Sequence, residues 1–415
     1  MKQYDSYKDS GVEWIGKVPS HWEILPFKRA ITINNGCDYK HVQVEEDGYP
    51  VIGSGGQFAW ASQYMYDGEV VLLGRKGTID KPLYYKGKFW TVDTMFYGIP
   101  KKNANCKYLL YQAKNIPFER YATATALPSM TQTDLNNNAI CMPPLKEQAA
   151  IANYLDKKCS EIDNVISAQQ KRIALLQELK QSVITHAVTK GLNPNVEMKD
   201  SGVEWIGEVP KHWEICKLKH VSSLYGRIGF RGYNQTDLVS EGEGAITLSP
   251  SNMQNGTMYY NKCSFLSWKK YYESPEIMIK DGDILFVKTG STYGKTSLVN
   301  KLPMEATINP QIVVFKDIKV NNHFLYYLLT NDIVQMQVSL TVGGSTIPTL
   351  SQDNILNYVI PVAPKNEQDE IANYLDKKCK SIDSSISKAQ HQVELLQEYK
   401  QSLITEVVTG KRKVC

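Results

Sequence analysis

Two long stretches of the chain carry apolar residues at alternating spacings of three and four positions. They cover residues 147–189 and 367–409, and neither contains proline or glycine before Gly191 and Gly410. This spacing is the apolar stripe of a coiled-coil helix, and a glycine just past the last turn is a common helix stop. At 1.5 Å per residue, each helix should be about 65 Å long. The narrow stripe favours pairing of the two helices, which must be antiparallel if a two-fold axis relates the two halves of the chain. The alternative is packing of each helix on its own domain.

Outside these stretches the apolar runs are short and are bounded by Gly, Asp and Pro, which is typical of a mixed α and β fold. Strands are predicted at 69–73, 89–92, 284–287 and 308–315, and short helices at 107–115 and 323–331. No apolar run is long enough to span a bilayer. The first residues lack the apolar core of a secretory signal. A cytoplasmic protein without membrane contact is therefore expected.

The chain contains two internal repeats, which predict a duplicated architecture. KDSGVEWIGKVPSHWEI at 8–24 returns at 199–215 with 15 of 17 positions identical, and 27 of 43 positions in 147–189 recur in 367–409. Weaker parallels lie between the repeats, where LPSMTQ at 127–132 matches IPTLSQ at 347–352. Each copy thus consists of a short anchor, a divergent block and a long helix. Two different blocks in one repeated frame suggest a protein that recognises two different targets.

These patterns set the predicted fold class and domain bounds. The fold class is α+β, with two mixed α/β domains separated by two long helices that form an antiparallel coiled coil around an internal pseudo-two-fold repeat. The predicted segments are an anchor at 1–23, a first divergent domain at 24–142, a first long helix at 143–191, a second anchor at 192–214, a second divergent domain at 215–361, and a second long helix with its tail at 362–415.

Composition and charge exclude several classes of protein. With 42% hydrophobic and 22% charged residues, the 415-residue chain can build real cores. The eight cysteines form no CxxC pair and no metal-ligand spacing, so reduced thiols and no metal site are expected. The net charge is only +4, and the positive excess falls in the two divergent blocks. So small an excess is weak support for a polyanionic partner.

The sequence carries no convincing catalytic motif. The segment 290–296, GSTYGKT, follows a predicted strand, but it has three residues between its glycines where a phosphate-binding loop has four. His21 and His212 occupy matching places beside Trp22 and Trp213 in the two anchors, which suggests packing rather than proton transfer. Because no convergent group of titratable residues is evident, the chain is predicted to be non-catalytic.

Loop chemistry in the divergent blocks favours DNA recognition. Arg and Lys can bond to guanine, Asn and Gln can bond to adenine, and glycine lets the backbone approach phosphate closely. For any single residue, the alternative is an ordinary solvated surface loop. Only the clustering of these residues favours DNA binding over that alternative. The candidate DNA-binding residues are Lys40, Gln57, Arg75, Lys76, Thr78, Gln132, Arg227, Arg231, Tyr233, Asn234, Lys288, Thr289, Ser291, Lys295 and Ser345.

The repeated KDSGVEWIGxVPxHWE and EQxxIANYLDKK…LLQExKQSxITxxVT motifs closely resemble those of type I restriction–modification specificity subunits. The resemblance covers both anchors, both helices and their spacing. It implies that each divergent block is a target recognition domain for one half of a bipartite DNA site. It also implies that the turn at 74–81, with 288–295 as its counterpart, is the Gly-rich loop of such a domain.

The resemblance further implies the partners and cofactors. Double-stranded DNA, two modification subunits that methylate adenine, and restriction subunits that translocate and cleave DNA would be the partners. S-adenosylmethionine, ATP and Mg²⁺ would be held by those partners, and this chain would hold no cofactor. Two alternatives stay open from the residues alone, a duplicated protein-interaction scaffold and a nucleotide-binding enzyme that uses the 290–296 segment.

Overall fold

The structure is a computed structural model that describes residues 3–121, 128–254, 256–342 and 348–414. It divides into two compact units. Unit 1 comprises Met1–Lys171 and Gln390–Cys415, and unit 2 comprises Arg172–Ala389. Each unit thus contains one anchor, one divergent block and a part of each long helix.

The predicted long helices are confirmed and begin two residues earlier than their repeats. Pro144 and Pro364 directly precede the two helices. At such a position a proline disfavours helical conformation only in the residue before it, which lies outside the helix. The helices are α1 (Cys106–Lys114), α2 (Gln132–Asn137), α3 (Leu145–Lys190), α4 (Leu218–Val221), α5 (Trp268–Tyr272), α6 (Asn322–Thr330), α7 (Asp332–Thr341), α8 (Gln352–Leu356) and α9 (Lys365–Val408).

Within each unit, the parts of α3 and α9 pack against each other. In unit 1, Ile162 and Ile166 share a core with Leu403, and both carboxylate oxygens of Asp163 accept hydrogen bonds from Lys400 Nζ at 2.6 Å. The start of α3 there lies beside the end of α9, because Trp22 contacts both Glu147 and Gly410. The two helix segments of unit 1 are therefore antiparallel.

Unit 2 repeats this arrangement with the two helices exchanged. Lys180 Nζ donates to both carboxylate oxygens of Asp383 at 2.8 Å. Trp213 contacts Glu367 at the start of α9 and Gly191 at the end of α3. The predicted pairing of the helices is thus confirmed within both units. The alternative, packing of each helix on its own domain, also holds for the start of each helix, because Leu155 lies in the core of unit 1 and Leu375 in the core of unit 2.

Unit 1 contains one seven-stranded sheet in the order β4-β10-β8-β9-β6-β7-β5, with only β6 and β9 parallel among the pairs of that sheet. The end of β4 is tied to two other strands, because Gly36 N donates to Met95 O and Cys37 N to Thr91 O. The strands are β1 (Tyr7–Asp9), β2 (Lys17–Pro19), β3 (Glu23–Pro26), β4 (Ile31–Asn35), β5 (Gln43–Val44), β6 (Tyr49–Gly53), β7 (Gly56–Ala61), β8 (Tyr66–Gly74), β9 (Leu83–Thr91), β10 (Met95–Pro100) and β11 (Ala139–Met142).

Unit 2 contains two four-stranded sheets in the orders β15-β24-β21-β22 and β16-β20-β17-β23. The strands are β12 (Met198–Asp200), β13 (Glu208–Pro210), β14 (Glu214–Lys217), β15 (Ser223–Gly226), β16 (Leu238–Val239), β17 (Gly244–Leu248), β18 (Met253–Gln254), β19 (Thr257–Met258), β20 (Ser264–Ser267), β21 (Ile284–Val287), β22 (Thr296–Leu298), β23 (Ala306–Ile308), β24 (Ile312–Lys316) and β25 (Val359–Val362).

The two divergent blocks share one strand frame despite their different sequences. The order β4-β10-β8-β9 of unit 1 corresponds to β15-β24-β21-β22 of unit 2, and the parallel pair β6/β9 corresponds to β17/β23. The long strand β9 thus has two counterparts, β22 and β23, separated by residues 299–305. Pro303 in that segment lacks a backbone N–H, which disfavours a continuous strand. Pairing of β3 with β11 and of β14 with β25 brings together the two ends of each block.

Two strand predictions require correction. The stretch 308–315 is two strands, β23 and β24, separated by a turn at Asn309–Gln311, because Asn309 Oδ1 accepts from Gln311 N at 3.0 Å and Pro310 cannot donate to a neighbouring strand. The stretch 89–92 is the end of the longer strand β9. In contrast, the predicted strand at 284–287 and both short helices are confirmed within one residue.

Within the described ranges, no helix is long and apolar enough to cross a membrane.

Candidate nucleic-acid interface

Each anchor is attached to the first turn of a long helix by one carboxylate. In unit 1, Glu147 accepts hydrogen bonds from Trp22 Nε1 at 3.1 Å and contacts His21 Nε2 at 2.9 Å. Trp22 is fully buried. Burial by itself raises the pKa of Glu147, but hydrogen bonds from Tyr4, His21 and Trp22 together lower the pKa below its ordinary value. The carboxylate form is thus the one that this site stabilises.

The same three residue types recur in unit 2. Glu367 accepts from Trp213 Nε1 at 3.0 Å and contacts His212 Nε2 at 2.6 Å, and Trp213 is also fully buried. The sequence predicted packing residues at these positions, whereas the structure shows exposed histidines that each pair with a glutamate. We call each set of Trp, His and Glu an anchor clamp.

The second repeated segment also positions the short helix of each block. Asp156 on α3 accepts from Tyr111 at 2.8 Å, and Asp376 on α9 accepts from Tyr327 at 2.8 Å. Burial, together with these bonds, raises the pKa of both phenols. The neutral phenol is the donor in each pair, so these residues are supports rather than proton-transfer groups.

A glycine turn follows strand β8 in unit 1, within the predicted Gly-rich loop at 74–81. Arg75 N donates to Thr94 O at 2.8 Å, Gly77 N donates to Pro128 O at 2.8 Å, and Met130 N donates to Arg75 O at 3.0 Å. Gly77 has φ +81°, which side chains of L-residues rarely adopt. The turn is thus fixed on both sides by backbone bonds.

The turn after β21 in unit 2 is held by the same bonds. Lys288 N donates to Gln311 O at 2.8 Å, Gly290 N to Pro348 O at 3.1 Å, and Leu350 N to Lys288 O at 2.8 Å. Gly290 has φ +103°. The predicted correspondence between the 74–81 and 288–295 segments is therefore visible at single-residue level, with Arg75, Lys76 and Gly77 matching Lys288, Thr289 and Gly290. A strand, β22, begins at Thr296, where a phosphate-binding loop would continue into a helix.

We call the loops joined by these bonds loop face 1 in unit 1 and loop face 2 in unit 2. Loop face 1 comprises residues 36–42, 74–78, 92–95 and 128–132, and loop face 2 comprises residues 226–234, 288–295, 309–312 and 348–352. Two side-chain bonds tie loop face 1 to the neighbouring sheet: Trp90 Nε1 donates to Cys37 O at 3.0 Å, and Gln132 Nε2 donates to Ile33 O at 2.6 Å. Backbone hydrogen bonds tie 74–78 to 92–95 and 128–132 in loop face 1, and tie 288–295 to 309–312 and 348–352 in loop face 2.

Loop face 1 gathers most of the candidate residues of the first block. Lys40 and Lys76 are exposed, Thr78 and Gln132 are half-buried, and half-buried Arg75 donates to Asp93 O at 3.3 Å. Gln57 is exposed on β7, next to Phe58, whose ring lies 5.2 Å from the ring of Tyr39 in this face.

Loop face 2 gathers the candidates of the second block in two groups. Lys288, Thr289, Ser291 and Lys295 lie on the turn after β21, and Lys295 Nζ donates to Pro250 O at 3.3 Å. Asn234 is exposed, Tyr233 is half-buried, and Arg231 pairs with Glu276 at 3.1 Å. The last candidate, Ser345, lies outside the described residues.

Arg227 occupies a different environment from the other candidates. It is 5% exposed, and its guanidinium donates to Ile308 O at 3.2 Å and to Thr307 Oγ1 at 3.0 Å. Burial lowers the pKa of this guanidinium, which lies 5.2 Å from the ring of Tyr233. Arg227 therefore supports the loop in this conformation, and we leave it out of the surface proposed to contact DNA.

Two further segments of the loop faces escaped the sequence analysis. Asp93 and Thr94 are exposed in loop face 1, and Asn309 and Gln311 lie at the matching place in loop face 2. Interpretation of 308–315 as one strand hid the second segment. The available signal was Asn-Pro, a common start of a turn, in the middle of an apolar run.

Two divergent blocks with matching loop faces, carried on a repeated anchor and helix, define a duplicated recognition subunit. The family model described as "Type I restriction modification DNA specificity domain" matches residues 19–175 and 210–395. The chain therefore belongs to the type I restriction–modification specificity family, and it contains two copies of the family's domain.

Known relatives agree with this assignment. The chain is 27% identical to the type I restriction enzyme MjaVIII specificity subunit of Methanocaldococcus jannaschii over 83% of this chain and 76% of that protein. It is 22% identical to the EcoKI specificity subunit of Escherichia coli K12 over 95% and 90% of the two chains. A chain from a solved structure of a type I R-M system matches 94% of this chain and 98% of its own length with a TM-score of 0.69 at 14% identity. The predicted family and fold class are confirmed.

Proposed function

We propose that this specificity subunit recognises a bipartite site in double-stranded DNA, with loop face 1 contacting one half-site and loop face 2 contacting the other. The observation that carries the proposal is the shared backbone frame. The same three bonds fix the glycine turn in both units, whereas the side chains on that turn differ. A fixed frame with exchanged side chains is what recognition of two different base sequences requires.

The chemistry of the faces agrees with contacts to both bases and phosphates. Arg75 and Lys76 in loop face 1, and Lys288 and Lys295 in loop face 2, provide cations on loops that are rich in glycine. Backbone N–H groups and lysines commonly contact phosphate, whereas arginine, asparagine and glutamine can distinguish base edges. Lys40, Gln57, Thr78, Gln132, Arg231, Tyr233, Asn234, Thr289 and Ser291 extend these surfaces.

The chain would direct chemistry that its partners perform. We propose two modification subunits, which use S-adenosylmethionine to methylate adenine, and restriction subunits, which use ATP and Mg²⁺ to translocate and cleave DNA. This chain would contribute recognition and no catalytic group.

An exposed apolar pair in each unit is the proposed docking surface for a modification subunit. Leu175 and Leu179 on α3 are 64% and 49% exposed in unit 2, and their repeat counterparts Leu395 and Tyr399 on α9 are each 49% exposed in unit 1. Such pairs, four residues apart, lie on one helix face, and exposed apolar patches of this kind mark interaction sites. Two equivalent pairs fit two copies of one partner.

The central experiment expresses the chain with its modification subunits and maps N6-methyladenine across a host genome. The expected result is one bipartite motif, which disappears when this chain is omitted. Methylation without a motif, or methyl transfer by the purified chain alone, would contradict the proposal. In addition, affinity of the assembled complex for duplex DNA should fall steeply with salt, whereas a protein-interaction scaffold would show no such dependence.

A second experiment tests the docking surface by native mass spectrometry. The double variant Leu175→Ser with Leu179→Ser should assemble with one modification subunit instead of two, and so should Leu395→Ser with Tyr399→Ser. Gln177 on α3 is exposed but lies two positions from each leucine, on a different helix face, so the matched control Gln177→Ser should keep both copies. Retention of two modification subunits by both double variants would contradict the assignment.

A further inference from the structure

One position in each loop face is fixed identically but carries a different side chain. Thr94 O accepts hydrogen bonds from Arg75 N at 2.8 Å and Lys76 N at 3.3 Å. In unit 2, Gln311 O accepts from Lys288 N at 2.8 Å and Thr289 N at 3.4 Å. Thr94 precedes β10 and Gln311 precedes β24, the matching strands of the two sheets. The repeat thus holds residues 94 and 311 at the same place in the frame, on the exposed surface.

Gln311 is also restrained by its own turn. Its backbone N donates to Asn309 Oδ1 at 3.0 Å, and its side-chain Oε1 accepts from Asn309 Nδ2 at 3.1 Å. Pro310 stiffens the turn between them. An exposed glutamine normally loses much rotamer freedom on binding. Here part of that cost is already met, because the bond from Asn309 orients the amide before a ligand arrives.

The oriented amide matches one base edge in the major groove. Adenine presents the N7 acceptor beside the N6 donor, and glutamine can satisfy both through Nε2–H and Oε1. Oε1 keeps a second lone pair for adenine N6 after it accepts from Asn309. Thr94, at the same place in loop face 1, has only a hydroxyl and a methyl group and cannot make this two-bond contact.

We infer that Gln311 is a specificity-determining residue that contacts an adenine in the half-site recognised by unit 2, with Asn309 as its positioning residue. Thr94 is the corresponding position for the half-site recognised by unit 1. This inference rests on the proposed function, since it assumes that loop face 2 meets DNA bases.

The first test maps methylated sites for the complex with its modification subunits, using wild-type chain, Gln311→Ala, Gln311→Glu and Thr94→Ala. Gln311→Ala should reduce the preference for one A·T pair in one half-site by roughly 5- to 150-fold, which is the value of a two-bond base contact. The near-isosteric Gln311→Glu should relax the same pair, because a carboxylate cannot donate to N7. Thr94→Ala should affect only the other half-site. Asn309→Ala should relax the same pair as Gln311→Ala, but less.

The second test uses duplexes in which each adenine of that half-site, other than the methylated one, is replaced by 7-deazaadenine. One replacement should lower the affinity of the wild-type complex by roughly 2- to 12-fold, the value of one hydrogen bond, and should leave the Gln311→Ala complex unaffected. A half-site without a second A·T pair, an unchanged motif in Gln311→Ala, or uniform loss at every position would overturn the inference. If the wild-type complex itself has no sequence preference, the proposed function fails instead.

Discussion

Removal of the carboxylate in the first anchor clamp tests how the repeated motif stabilises unit 1. Glu147→Ala deletes the acceptor of Trp22 Nε1 and the partner of His21. Trp22 is fully buried, so its indole N–H would be left without an acceptor, which costs about 1–3 kcal/mol. The side chain of His21 is 49% exposed, so its pair adds only about 0.2–1 kcal/mol. A loss of about 1–4 kcal/mol in local stability is therefore expected.

Hydrogen exchange followed by mass spectrometry measures this loss directly, because it reports local opening segment by segment. Amides of the β1 and β2 hairpin should exchange roughly 5- to 1,000-fold faster in Glu147→Ala. The β12 and β13 hairpin of unit 2 should keep its wild-type rate, and Glu367→Ala should give the reverse pattern. Unchanged exchange in the β1 and β2 hairpin, or equal acceleration in both hairpins, would refute the clamp as the local cause.

The clamp also predicts a pH dependence. The pKa of Glu147 is below its ordinary value of 4.5 in the folded protein, so the carboxylate contributes stability above the unfolded-state pKa. That contribution should disappear as the pH falls through the lower, folded pKa. Protection of the β1 and β2 hairpin should therefore fall in acid in the wild type, with a smaller change in Glu147→Ala.

Three further outcomes are expected at the level of DNA recognition. Exchange of residues 24–142 for the equivalent block of a relative should change one half-site in a methylation map and leave the other intact. Arg75→Ala should reduce the discrimination between bases at one position by about 1–3 kcal/mol if its guanidinium contacts a base edge. In contrast, Lys76→Ala should weaken binding to all sequences equally if Lys76 contacts phosphate. Insertion of seven residues into both α3 and α9, in phase with the apolar stripe, adds about 10 Å of helix. At about 3.4 Å per base pair, the spacer between half-sites should lengthen by about three base pairs. An unchanged spacer would show that the helices do not set its length.

The sequence by itself determined the repeated parts of the protein. Helices α3 and α9 were predictable because their pairing imposes a periodic apolar stripe, which is local information repeated along the chain. The anchors were recognisable because buried Trp22 and Trp213 require the same neighbours in both copies.

Only the tertiary structure decided which loop residues lie together. The division of the second block into β22, β23 and β24 depends on pairing with distant strands, so an apolar run such as 308–315 does not reveal its own turn. For the same reason, sequence placed Arg227 among exposed candidates, although its guanidinium is bonded to residues about 80 positions away. The equivalence of residues 94 and 311 became evident only from the backbone hydrogen bonds that the two units share. Periodicity encodes local geometry, whereas long-range strand pairing brings distant residues to one surface, and no short stretch of sequence contains that pairing.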